Sequence, residues 1–224
     1  MKFLFIHQNF PGQFINLAVE LTRKKHEVTA LTLNRRNLES SWNGIRIIKY
    51  SLGAGNGKGT FPIAVDFETK AIRGAYCFLK AKELEAGGYY PDVIISHPGW
   101  GESLFLKEVW PKAVFKVYCE FYYHTSGADV GFDKEFEGRN ALNLPRIILK
   151  NTNSLLHLDQ ADSGISPTDW QASTFPEYFR GKISVIHDGV DTDTVQPDDS
   201  ARLTLPGGKQ LTSDDEIVTY VGRS

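Results

Sequence analysis

The sequence has little sulfur: two cysteines, Cys77 and Cys119, and a single methionine. The cysteines lie far apart in apolar surroundings, so they offer neither a disulfide framework nor a Cys-x-x-Cys zinc site. An excess of one charge is also missing. The 25 basic residues against 27 acidic ones leave a formal charge of −2, which does not indicate a nucleic-acid-binding surface. No apolar run approaches the roughly 18 residues of a membrane span, and the short apolar stretch before His7 is too brief for a signal peptide. The expectation is a cytosolic, cytoplasmic protein. The basic stretch Arg23-Lys24-Lys25 leaves peripheral contact with the inner face of a membrane open, although a solvated helix end is the plainer reading. A Ser nucleophile elbow and a His-x-x-x-His metal pair are both lacking, so hydrolase and metalloenzyme chemistry have no support.

What is present is an ordinary globular composition, 41% hydrophobic and 23% charged, which argues against disorder. The 224 residues amount to about one and a half average domains. Short apolar runs at residues 2–7, 26–33, 45–49, 92–96, 113–119, 163–166 and 183–187 read as strands. Helical patterns separate them. Phe14, Leu17, Ala18 and Leu21 make one apolar face, residues 67–86 carry a second helix, and residues 135–159 a third, kinked near Pro145. Strand–helix alternation predicts an α/β fold with a Rossmann-like, doubly wound parallel sheet covered on both faces. After His187 the chain turns polar and rich in Asp, Gly and Pro, as a linker does, and residues 216–221 read as a new strand. The expected organisation is a domain over 1–190, a linker over 191–215 and the first strand of another domain over 216–224.

In an open parallel sheet, ligands bind at the carboxyl ends of the strands, and that rule selects the candidate site residues. Asn9, Gly12 and Gln13 follow the first strand. Gly12 and Pro11 open a helix whose free amides suit an anion or a sugar, and a glycine there lets backbone come close to a ligand. His97, Trp100 and Glu102 fall in His-Pro-Gly-Trp-Gly-Glu, where an indole can stack on a sugar ring and His and Glu can bond hydroxyls. Glu102 could equally stabilise the first turn of a following helix. Glu120, Tyr122, Tyr123 and His124 end another strand and combine an acid, two phenols and an imidazole, which suits polyol recognition or proton transfer.

Three motifs are decoys. Gly53-Ala-Gly-Asn-Gly-Lys-Gly-Thr60 resembles a P-loop, but Gly59 separates Lys58 from Thr60 and no helix pattern starts there. A mobile loop over the site is the better reading. The same stretch does not complete Gly-x-Gly-x-x-Gly, so a dehydrogenase is weakly supported. Asp191-Thr-Asp193 spells the metal-holding Asp-x-Asp, yet it sits in a linker, where turn chemistry is expected.

Ile183-Ser-Val-Ile-His-Asp-Gly-Val-Asp191, with Pro197 after it, resembles the interdomain linker of family-4 glycosyltransferases. Val218-Thr-Tyr-Val-Gly-Arg223 resembles the opening strand of their donor-binding domain. Phe5-Ile-His-Gln-Asn-Phe-Pro-Gly-Gln-Phe14 and the strand ending Glu-Phe-Tyr-Tyr-His124 are similar to the amino-terminal acceptor domain of a bacterial subgroup. The resemblance covers nearly the whole chain. It implies one half of a GT-B two-domain architecture, in which a retaining enzyme moves a sugar from a nucleotide-sugar to an acceptor hydroxyl, as in bacterial polysaccharide or glycolipid synthesis. By the same resemblance Arg223 contacts the donor's diphosphate and Gly12 its sugar-phosphate; from their strand-end positions Gln13 is a further donor-side candidate, and Asn9, His97, Trp100, Glu102, Tyr122 and Tyr123 are the acceptor-side candidates. His124 and Glu120 are the catalytic candidates, His124 being offset from the family's usual position. The nucleotide-sugar is a substrate, so no cofactor or metal is implied. The other partners implied are a sugar or lipid-linked acceptor and a carboxyl-terminal domain in cis; without that domain the chain is expected to be inactive. In the family's mechanism the acceptor attacks on the face the leaving group departs from, and the leaving phosphate takes its proton. Negative charge developing on the nucleoside diphosphate calls for fixed donors. Two alternatives remain: a stand-alone sugar- or partner-binding module, and a GT-B nucleotide-sugar epimerase.

Overall fold

The computed structural model describes residues 1–33, 39–128, 130–131, 135 and 141–218. The chain divides into two compact units, Met1–Asp188 and Gly189–Ser224. The first carries the sheet. Its strands are β1 (Lys2–Ile6), β2 (Glu27–Thr32), β3 (Ser41–Trp42), β4 (Ile45–Lys49), β5 (Val93–Ser96), β6 (Val114–Tyr118), β7 (Ser163–Ser166) and β8 (Ile183–Val185), in the order β3-β4-β2-β1-β5-β6-β7-β8. All pairings are parallel except β3 with β4. The strand order reverses between β1 and β5, so this is a doubly wound sheet whose switch point lies between those strands.

Helix α1 (Ile15–Arg23), entered through a 3-10 turn over Gly12–Phe14, covers one face; α2 (Val65–Ala86) and α3 (Asn143–Gln160) cover the other, with the short α4 (Asp169–Ser173) and α5 (Glu177–Arg180) before β8. Side-chain alternation splits the core accordingly. Phe14 and Ala18 pack with Phe5, Ala30, Ile45 and Ile95 on the first face. Cys77, Ala81, Leu158 and Phe179 pack with Leu4, Ile6, Ile94 and Phe115 on the second. Both cysteines are buried free thiols.

The sequence-derived sheet stands, with three differences. The third helix begins at Asn143, not near residue 135, so Pro145 falls in its first turn, where its missing N–H has no helical partner to lose and no kink arises. Residues 136–140 of the expected helix lie outside the described residues. The glycine-rich segment is tied down. The Glu68 carboxylate accepts the Gly57 amide at 3.2 Å and the Thr60 hydroxyl at 2.5 Å, while the Asn56 amide donates to the Val65 carbonyl at 2.8 Å. In the second unit β9 (Leu203–Thr204) and β10 (Gln210–Leu211) form a small antiparallel pair within the stretch expected to be a plain linker. Residues 216–218 of the expected last strand have no regular structure, and residues 219–224, Arg223 among them, lie outside the described residues. Asp191 behaves as a turn residue: its carboxylate accepts the amides of Asp193 and Thr194 and the Thr194 hydroxyl.

Candidate active site

Three strand ends meet at the switch point. His7 follows β1, His97 follows β5 and Glu120 follows β6. The Asn9 amide donates to His7 Nδ1 at 3.0 Å, which leaves the proton on Nε2; this nitrogen donates to Gln13 Oε1 at 3.0 Å. The Gly99 amide donates to His97 Nδ1 at 3.2 Å in the same way, so His97 Nε2–H donates to Glu120 Oε2 at 2.9 Å. Gln13 Nε2 closes the row by donating to Glu120 Oε1 at 3.3 Å. The result is a continuous chain, His7–Gln13–Glu120–His97, in which local backbone amides select the tautomer of both imidazoles. The two rings stand edge to face at 5.5 Å. Burial, and next the proximity of His97, lowers the His7 pKa to about 4, so His7 is neutral at physiological pH.

Gly12 has a structural reason to be glycine. Its φ is +50°, and a Cβ there would lie 2.4 Å from His7 Cε1. The tight turn therefore admits the His7 ring.

The site has two lobes that share Tyr118. On the α3 side a cleft of ≈ 60 Å³ is lined by Lys70, His97, Glu120, Tyr123, Lys150 and neighbouring residues. On the α1 side a larger, mostly apolar pocket of ≈ 300 Å³ is lined by Gln13, Asn16, Leu17, Ile165, Ile186 and Asp188, among others. The Tyr118 hydroxyl donates to Asp188 Oδ2 at 2.7 Å; burial, and then that bond, raises its pKa, so the phenol stays protonated.

The structure gathers some sequence-derived candidates and separates others. His97, Glu120 and Gln13 are bonded together, and the Asn9 backbone supports the row while its side chain is exposed. Trp100 stacks on His97 at 6.2 Å, and its buried Nε1 has no hydrogen-bond partner. Tyr123 sits at the cleft, with Lys150 Nζ 3.5 Å from its ring centroid. Three residues depart from expectation. His124 is not with Glu120 and His97: its Nε2 meets the Thr174 carbonyl at 2.8 Å. Tyr122 turns into the core against Phe175, because its backbone amide is held by the Thr174 hydroxyl. Glu102 is completely buried, so it does not present its carboxylate to a ligand.

Glu102 lies beneath the site with Tyr50, Arg73 and Cys77. The Tyr50 hydroxyl and Arg73 lie beside its carboxyl, but neither carboxyl oxygen, nor that hydroxyl, nor Arg73 Nε makes a hydrogen bond of good geometry. Desolvation raises the Glu102 pKa from 4.5 to about 7, against the pull of Arg73. His7, Tyr118 and Lys150 are the contributors that strand-end reasoning left out of the site. His7 had a usable signal, since it closes the alternation of β1 immediately before the selected segment. Lys150 had none, because its helix is remote in sequence.

A doubly wound sheet with polar side chains gathered at its switch point is the Rossmann-like half of a GT-B architecture. The chain belongs to the glycosyl transferase family 4 group, whose match runs over residues 24–195. No curated protein matches it. Among solved structures it is similar to a sucrose-phosphate synthase domain from Thermosynechococcus elongatus, with 15% identity over 85% of this chain and 91% of that one and a TM-score of 0.52. It is similar also to the catalytic domain of starch synthase IV from Arabidopsis thaliana, at 13% identity, 86% and 52% coverage and a TM-score of 0.50. The UDP-GlcNAc 2-epimerase of Neisseria meningitidis matches at 15% identity, 83% and 45% coverage and a TM-score of 0.46. The chain spans about half the length of the latter two structures. The first two likenesses establish the fold. Among the described residues no group of three or more His, Cys, Asp or Glu side chains is placed to hold a metal, and no helix is long and apolar enough to cross a membrane.

Proposed function

We propose that this chain is the acceptor-side domain of a retaining, hexosyl-transferring glycosyltransferase, which moves a sugar from a nucleotide-sugar to an acceptor hydroxyl in bacterial polysaccharide or glycolipid synthesis. The observation that carries the reading is the bonded row His7–Gln13–Glu120–His97 at the switch point of a family 4 sheet. Glu120 and His97 are hydrogen-bonding groups of opposite capacity at the mouth of the cleft, suited to holding sugar hydroxyls in one orientation. Such positioning supplies much of the rate when the leaving phosphate itself takes the acceptor proton. Gly12 and Gln13 would serve the donor side, and Arg223 would supply a cation for the donor diphosphate. The reaction then uses no metal or other cofactor, and a donor-binding domain completes the site in cis. The exposed Val190 and Val195 support a partner domain in that region.

The test is sugar transfer by the protein extended through its donor domain, with nucleoside diphosphate release followed across a panel of nucleotide-sugars and acceptors. Acceptor-dependent release, lowered about 100-fold or more in His97→Ala, supports the reading. Conversion of the nucleotide-sugar without any acceptor refutes it in favour of epimerase chemistry. The 224-residue chain alone is expected to bind acceptor weakly and transfer nothing.

A further inference from the structure

Three aromatic side chains lead out of the cleft in a row. Just past the end of β6, Tyr122 turns into the core against Phe175, and its neighbours Phe121 and Tyr123 turn the other way, as alternate residues of an extended chain do. Both line the cleft beside His97 and Glu120. Their rings stand edge to face at 5.2 Å. Trp170 is the third ring. Its centroid lies 5.5 Å from that of Phe121, with the planes tilted by 31°. Of the four tryptophans, Trp110 is buried, Trp42 and Trp100 are half-buried, and Trp170 is 60% exposed, so its indole presents a face to solvent. The backbone fixes it there. Strand β7, the neighbour of β6, ends at Ser166, and the Thr168 hydroxyl then caps α4 by accepting the Gln171 amide at 3.1 Å. The Ser173 hydroxyl bonds the Trp170 carbonyl at 2.7 Å.

Position and chemistry identify the ligand. A lone exposed apolar side chain means little by itself, but this one continues a row that begins inside a polar cleft. The inner end of the row lies against the bonded pair His97–Glu120, whose groups suit sugar hydroxyls. The negative face of an indole attracts the weakly positive C–H groups on the flat side of a sugar ring, while the hydroxyls round the ring edge need polar partners. Such partners flank the row: Lys150 stands over Tyr123, and the Thr168 hydroxyl and Gln171 side chain, bonded at 2.8 Å, belong to the same short segment as Trp170. A nucleotide base is the less suited occupant. Trp170 stands beyond the end of β7, whereas the donor-side turn at Gly12 follows β1, and β5 and β6 lie between those two strands.

We propose that Trp170, backed by Phe121, forms a second sugar subsite one ring beyond the His97–Glu120 pair, so that the ligand of this domain is an oligosaccharide of at least two residues. Sugar binding stands on the row of rings alone. Its consequence, that the acceptor is an oligosaccharide, rests on the transferase reading.

The experiment is an NMR titration of the 224-residue chain with maltose, cellobiose, lactose and mannobiose, and with glucose, galactose and mannose for comparison. Trp170→Ala identifies the Trp170 indole N–H among the four indole resonances. At least one disaccharide is expected to shift that resonance and to bind about tenfold or more tighter than the monosaccharides, as befits an aromatic anchor. Trp170→Ala should abolish the difference, and Trp170→Tyr should keep most of it, because a phenol ring still stacks. The position is exposed, so unchanged backbone resonances away from α4 certify the fold of both variants. Absence of disaccharide binding overturns the proposal, as does equal affinity for monosaccharides or a preference that survives Trp170→Ala. A Trp170 resonance that responds to uridine diphosphate and to no disaccharide overturns it by assigning the indole to the nucleotide. A wild-type dimer in light scattering that Trp170→Ala dissolves overturns it by assigning the indole to a second copy. The transferase reading fails separately: disaccharide binding through Trp170 by an extended protein that transfers no sugar would refute that reading and leave the subsite intact.

Discussion

Glu102→Gln should stabilise this protein, and by an amount that depends on pH. Burial favours the neutral acid of this carboxyl over its ionised form. The unfolded chain releases its proton near 4.5, whereas the folded chain keeps it until about 7. For an acid whose folded pKa is raised, the contribution to stability is fully present below the unfolded pKa and is lost as pH rises toward the folded pKa. The window is therefore pH 4.5 to 7. At about 1.4 kcal/mol per pKa unit the loss across it is ~3 kcal/mol, a large share of the 5–15 kcal/mol typical of a domain. Glutamine keeps the shape of the neutral acid and cannot ionise. Urea denaturation of both proteins at pH 5, 6, 7 and 8 gives the difference directly.

The comparison must be between proteins, because other groups titrate in the same range with the opposite sign. His7 and His157 are buried and have pKa values lowered to about 4. Their contributions are full above the ordinary histidine value and are lost as pH falls from about 6.5 toward 4. The wild-type profile therefore mixes one falling and two rising terms, and the subtraction isolates Glu102. The advantage of the variant should be least at pH 5, grow through pH 6 and 7, and level off at pH 8 near 3 kcal/mol. A pH-independent difference would mean that the carboxyl titrates normally and that the burial argument is wrong.

Two further predictions concern the site and its support. Gly12→Ala combines a left-handed backbone with a Cβ 2.4 Å from the His7 ring, and should cost about 1–3 kcal/mol in denaturant unfolding; the amide resonance of Asn9, which bonds His7 Nδ1, should shift strongly, and unchanged stability would rule out the fit described here. His157 should show no imidazole titration by NMR between pH 8 and 5, since burial holds its pKa near 4; a midpoint close to 6.5 would contradict its place between Asn153 and Ser103.

The parts of the fold that repeat were legible. The central parallel strands β1, β2 and β5 read as short apolar runs because they are largely buried on both faces. What escaped was short or depended on distant chain. The two-residue β3 and the one-turn α4 and α5 carry too few residues for a period to register. The site was half legible for a related reason. Strand ends can be located one at a time, so His97, Glu120 and Gln13 emerged, but which of their neighbours turn inward is decided by other elements. Thr174, far along the chain, takes the Tyr122 amide with its hydroxyl and His124 with its carbonyl, and so draws that end of the Glu-Phe-Tyr-Tyr-His run away from the cleft.

Glu102 is the sharpest case, because two glycines decide its burial together. At Gly74, inside α2, a Cβ would lie 2.8 Å from the Gly101 carbonyl oxygen; at Gly101, with φ +92°, a Cβ would lie 2.4 Å from the Lys70 carbonyl oxygen. Each glycine allows the 98–103 loop to press against the helix backbone, and that closeness keeps water from Glu102. Gly74→Ala thus sets two effects against each other. Helix propensity favours alanine by about 1 kcal/mol, but the new methyl meets rigid backbone and must push the loop outward, at a typical overpacking cost of about 1–3 kcal/mol. The net effect should be destabilising at pH 5. At pH 8 the same opening hydrates Glu102 and relieves part of its ionisation cost, so the destabilisation should shrink as pH rises. Gly74→Ala and Glu102→Gln act through one burial, so the double variant should lack that pH dependence. If it persists there, the loop and the carboxylate are uncoupled, and the two glycines serve packing alone.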